Sequence, residues 1–153
     1  MSVGKPLANY ATWRQLGDQV YLSGVIAVDP SAGAVVNRYE DLPPEALPAL
    51  RALGFVTGQM SVDTFEAPIV AQSWWVLARI RELAAEAGVR MEHAARLVQY
   101  FRDLRHYPHY NRVRGLFFEA PVVSTVVEVS RMLPDDRVLV EVEATFWKPA
   151  NGA

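Results

Sequence analysis

Two runs near the C-terminal end constrain this chain most. Val123, Thr125, Val127 and Val129 alternate with Val122, Ser124, Val126 and Glu128, and Val138, Val140, Val142 and Ala144 alternate with Leu139, Glu141, Glu143 and Thr145. Successive side chains of a strand point to opposite faces, so this period of two predicts strands over Val122–Met132 and Arg137–Trp147. Leu133-Pro134-Asp135-Asp136 between them carries turn chemistry, and the pair reads as a hairpin. Ser124, Glu128, Glu141 and Glu143 stand among the valines, which makes them either a solvated sheet face or the floor of a site.

A chain of 153 residues that is 51% hydrophobic and 21% charged can bury a real core and is not disordered, so one domain over 1–153 is expected. A formal net charge of −2 gives no nucleic-acid footprint. The count of zero cysteines excludes thiol catalysis, disulfides and thiolate-bound zinc. Nothing at the N-terminus resembles a signal core and no apolar run is long enough to span a bilayer, so a cytoplasmic protein without membrane contact is the default expectation.

Along the chain, Tyr10–Leu16 and Gln19–Gly24 read as a first hairpin around Gly17-Asp18, followed by an apolar strand, Gly24–Asp29. Asn37–Glu66 holds three prolines, two glycines and a short helical pattern at Glu45–Leu53; a connection of that length reads as an insertion or a partly ordered flap near a site. Pro68–Ala87 is the clearest helix, with Pro68 in the first turn and Gly88 as its stop. Ala94–Leu104 alternates as a strand, and Pro108 opens a second helix. The order β-β-β-α-β-α-β-β predicts an α+β fold, one sheet with both helices on one face.

The chemistry of the side chains excludes several classes. His106 and His109, with His93 upstream, fall short of the three or four ligands of a zinc site, so no metal is expected. Ser23 and Ser124 lie in no Gly-x-Ser-x-Gly elbow. The glycines match no phosphate-binding spacing, so no nucleotide cofactor is implied. Arg102, Arg105, Arg112 and Arg114 are interspersed with Glu92, Asp103 and Glu119, a mixed field rather than a basic stripe. The strand glutamates remain. A half-buried Glu141 would have a raised pKa suited to acid–base work near neutrality.

Taken together, the segments Val20-Tyr21-Leu22-Ser23-Gly24-Val25-Ile26-Ala27-Val28-Asp29, Gln72–Val89, Asn111–Phe118, Thr125–Val129 and Val140–Ala144 resemble the Rid (YjgF) family of enamine and imine deaminases. The resemblance implies a chorismate-mutase-like α+β subunit assembled as a homotrimer, small-molecule substrates in inter-subunit clefts, and no cofactor. It places the water-directing glutamate on Glu141, the tyrosine on Tyr10, and backbone and hydroxyl contacts on Ser23 and Gly24.

Three features depart from that pattern. Ser124, beside Val126, stands where the deaminases carry a carboxylate-binding arginine. Arg79 stands where asparagine is usual, and Asn37–Glu66 is inserted. The expectation is a divergent enzyme that hydrolyses an enamine, imine or related bond, with Glu141 and Tyr10 catalytic and Ser23, Gly24, Arg79, Ser124 and Val126 binding substrate. The alternatives are a non-catalytic trimeric binding protein, and a lyase or tautomerase acting on a cyclic or aromatic metabolite.

Overall fold

The computed structural model describes residues 6–150. Strands β1 (Trp13–Leu16) and β2 (Gln19–Leu22) form the expected hairpin, turned at Gly17, whose φ of 63° lies in the left-handed region that glycine enters without a Cβ clash. The apolar run that follows divides into β3 (Val25–Ile26) and β4 (Val28–Asp29), because β4 leaves the main sheet to pair with β5 (Ala34–Val35). Helices α1 (Ala46–Ala52) and α2 (Met60–Glu86) come next, then β6 (Ala94–Phe101), α3 (Tyr107–Arg114), β7 (Val123–Glu128) and β8 (Val140–Trp147).

The main sheet runs β1-β2-β8-β6-β7, with β3 also on β8. It is mixed: β6 and β7 are parallel, and the other pairs are antiparallel. The α+β class and the helix-covered sheet are as expected, the short helical pattern at Glu45–Leu53 forms α1, and the β4–β5 ribbon is added. The C-terminal hairpin is not. β7 and β8 are separated by β6, which pairs with both. The helical crossover through α3 carries the chain from β6 to a parallel β7, and β8 then returns on the far side of β6. Glu128 is therefore no cross-strand neighbour of Glu141; Tyr100 is.

One face of the sheet is the core. Val20, Leu22, Leu97, Phe101, Val140, Val142, Ala144 and Phe146 are buried against α2 residues such as Ile69, Trp74, Leu77 and Ile80. The opposite face carries Arg14, Tyr21, Glu141, Glu143, Thr145, Tyr100, Thr125 and Val127, all half-buried or exposed.

Helix α2 begins eight residues before Pro68, so that proline sits inside the helix rather than in its first turn. A proline there removes one hydrogen bond and ordinarily costs about 3 kcal/mol. Thr64, whose carbonyl lacks that partner, is exposed and open to water, and burial of Ala67, Ile69, Val70 and Ala71 on the same turns keeps the helix continuous. Gly88, with φ of 80°, ends it as expected.

Residues 37–66 contribute Tyr39, Leu42, Ala46, Leu50 and Phe55 to the core. The stretch expected as a flap is thus anchored by its own apolar side chains, and Met60–Glu66 is the start of α2.

Candidate active site

A cavity of about 240 Å³ opens between the β2–β4 segment and α2. Tyr10, Ser23, Gly24 and Arg79 line it together, with Trp75, Glu82 and Leu83 of α2 and Val25, Ile26 and Asp29 of the strand segment. Four of the site residues expected from sequence are therefore brought to one place. No residue of the 37–66 stretch lines it.

Hydrogen bonds fix two of them, Ser23 and Arg79. Ser23 Oγ donates to the Ala11 carbonyl at 2.6 Å and its backbone N–H to Thr12 O at 3.0 Å, which ties the segment bearing Tyr10 to the start of β3. That hydroxyl proton is committed, so Ser23 can meet a ligand only as an acceptor. Tyr10 itself is 41% exposed at the cavity mouth. Arg79 is largely buried, and its Nη1 donates to Glu82 Oε2 at 3.3 Å, both on the cavity wall.

Glu141 does not line the cavity but abuts it through Gly24. A Cβ built on Gly24 would lie 2.1 Å from Glu141 Oε1 and 3.0 Å from its carboxyl carbon. Glycine is needed here because the carboxyl occupies the space of a side chain. On the open face Glu141 stands between Ile26 of β3 and Tyr100 of β6. Burial is the main cause that raises its pKa above the ordinary carboxylate value, and the charge of Glu143 adds to it. Tyr100 donates its hydroxyl to Glu143 Oε1 at 3.1 Å, which leaves the Glu141 oxygens to other donors.

Ser124 and Val126 lie elsewhere. Their register with Leu97 and Gln99 turns them to the helix-bearing side of the sheet, away from Glu141. Ser124 Oγ accepts from Gln99 Nε2 at 2.7 Å and from Arg114 Nη1 at 3.3 Å. On the Glu141 side, β7 presents Val123, Thr125 and Val127, none of them cationic. Sequence reasoning missed Tyr100, Trp75 and Glu82, while Glu143 was marked with Glu141 as either a solvated face or the floor of a site. The visible signal was an aromatic residue on the polar face of β6; apart from Arg79, which α2 residues would reach the cavity was not visible in a helix buried on nearly all sides.

Among the described residues, no group of three or more His, Asp or Glu side chains is placed to hold a metal ion. Among the described residues, no helix is long and apolar enough to cross a membrane.

A Klebsiella pneumoniae protein carrying a provisional endoribonuclease label is 52% identical, covers 92% of this chain and 100% of its own, and superposes with a TM-score of 0.86. A RutC family protein of Pyrococcus abyssi is 26% identical over 145 residues, 94% of this chain and 90% of the relative. E. coli TdcF, solved with bound serine, is 20% identical and shares the fold over 95% of this chain and 93% of its own, with a TM-score of 0.70. The family model described as Endoribonuclease L-PSP matches residues 45–146. The chain belongs to the endoribonuclease L-PSP family, the YjgF/Rid family.

Proposed function

We propose that the protein is a divergent Rid enzyme that hydrolyses an enamine, imine or related bond of a small metabolite, with Glu141 directing the water. The observation that carries the reading is Glu141 itself: half-buried, raised in pKa by that burial, and lying where a Gly24 side chain would be, at the cavity's edge. A carboxylate in that state takes a proton from water as the oxygen attacks the carbon of the protonated imine, and returns it to nitrogen as the C–N bond breaks; the proton left on the new carbonyl oxygen passes to water. The products are a carbonyl compound and ammonia. Tyr10 at the cavity mouth and the Ser23 oxygen are placed to orient the substrate. The serine bound to TdcF supports a ligand of amino-acid size.

In this reading the cleft is completed by a second subunit of a homotrimer, for which the open sheet face offers the surface, and no cofactor takes part. Nuclease activity, which the family description names, has less support here: the cavity arginine is paired with Glu82, and the net charge is −2. The absence of a cation on the exposed face of β7 favours, as a second reading, a binding protein that has given up catalysis.

The test is turnover of a panel of small imines made in situ, followed as carbonyl product, for wild type and Glu141→Gln. Wild type should turn over at least one substrate, and the variant should be slower by about a hundredfold or more. Equal rates in the two proteins would remove Glu141 from the chemistry. Saturable binding without turnover in either would favour the second reading.

A further inference from the structure

We infer that, given the role proposed for Glu141, Tyr100 and Glu143 are its positioning residues: the Tyr100 hydroxyl pins a second carboxylate beside it, and that fixed negative charge makes Glu141 the stronger base. Glu141 and Glu143 are two residues apart in β8, so both point to the open face, about 7 Å apart along the strand. Tyr100 of β6 is the cross-strand partner of Glu141, and Val98 is the partner of Glu143. The Tyr100 side chain nevertheless reaches diagonally, and its hydroxyl donates to Glu143 Oε1 at 3.1 Å. One side chain thus spans the two glutamates, rooted opposite Glu141 and bonded to Glu143.

Two like charges on one half-buried strand face repel, which favours a swing of Glu143 toward water. The Tyr100 bond opposes that swing. Desolvation first, then the bond and charge of Glu143, hold the Tyr100 phenol above its ordinary value, so it stays a donor across the neutral range. A phenol also differs from an arginine in what it does to its partner: it fixes where the charge sits without cancelling it.

The cations of this face stand farther along. Arg96 is opposite Thr145, and Arg14 is opposite Tyr21, which pairs with the same Thr145. β3 brings Ile26 opposite Glu141, β7 brings Val123, Thr125 and Val127, and Tyr10 is the titratable group on the Gly24 side. Among the described residues, the charged neighbour of Glu141 on its own strand face is therefore an anion. Burial and that anion both raise the Glu141 pKa, burial the more. A base that holds its proton more firmly takes it from water more readily.

Carbon NMR titration of the Glu141 carboxyl, assigned by its loss in Glu141→Gln, tests the inference on the intact protein beside the pH profile of imine turnover. Glu143→Gln should lower the Glu141 midpoint by at least about half a pH unit. The acid limb of turnover should move down with it, and the plateau rate should fall about threefold as the base weakens. Tyr100→Phe keeps the ring and its burial but releases Glu143, so the midpoint should fall in the same direction by a smaller amount. A midpoint unchanged or raised in a folded Glu143→Gln overturns the inference, and so does a wild-type midpoint in Tyr100→Phe, which decides alone if the glutamine variant does not fold. An acid limb that stays put while the midpoint moves would overturn the role given to Glu141 instead, because the carboxyl titration reads the pair without any substrate.

Discussion

Gly24 and Glu141 occupy each other's space: the position a Gly24 Cβ would take is 2.1 Å from Glu141 Oε1. Gly24 lines the cavity, so the missing Cβ is what lets the carboxyl lie at the cavity's edge. Gly24→Ala should push the carboxyl aside while leaving the fold intact, because the displaced atoms end a flexible side chain. The expected result is a melting temperature close to wild type and turnover lower by about a hundredfold. Wild-type turnover in a folded Gly24→Ala protein would show that the carboxyl's position does not matter.

The raised pKa of Glu141 has a sign that stability measurements can read. The folded state holds the proton to higher pH than the unfolded chain, so the group's contribution is fully present below the ordinary carboxylate pKa and is lost as pH rises through the raised value. Glutamine has no charge to desolvate. Glu141→Gln should therefore melt above wild type at neutral pH, with the difference shrinking toward about pH 4, even as activity falls. A variant less stable than wild type at neutral pH would contradict the desolvated setting of the carboxyl.

Gln72, fully buried in α2, holds the entry to β8 as a strand neighbour would. Its Oε1 accepts from Leu139 N–H at 2.8 Å and its Nε2 donates to Arg137 O at 2.7 Å, two residues ahead of Glu141 at the nearer contact. Gln72→Leu keeps the volume but removes both bonds, which should lower the unfolding free energy by about 2 kcal/mol. Denaturant titration measures it, and a change under about 0.5 kcal/mol, within the range of ordinary surface substitutions, would mean the pairing contributes little.

Leu50 tests whether residues 37–66 belong to the core. It is fully buried, with Ala46 of the same helix and Phe55 beyond it in the same cluster. Leu50→Ala should cost about 2–5 kcal/mol, the range for a core leucine. A loose flap would lose far less, and protease cleavage within 37–66 at low enzyme ratios would point the same way.

Part of this was decided by the sequence alone. The alternation in 122–129 and 138–145 marks β7 and β8 because a strand's period of two is local. Gly17 and Gly88 mark a turn and a helix end because positive φ is a property of one residue. The segments around Ser23-Gly24 and Glu141 carried the resemblance that the family match bears out. Pro68 misled for the opposite reason: its local preference for a first turn is overridden by the burial of the residues around it.

Only the tertiary structure decided which strands meet. Alternation says that Val123–Glu128 and Val140–Trp147 are strands but not which neighbours they take, and β6 lies between them because parallel pairing through α3 buries Leu97, Gln99 and Phe101 on both sides. That choice of neighbours sets which face each polar residue occupies. It puts Glu141 against Gly24 and turns Ser124 to the far side, under the guanidinium of Arg114. Pairing between distant strands is a global minimum of burial and hydrogen bonding, and no window of sequence contains it.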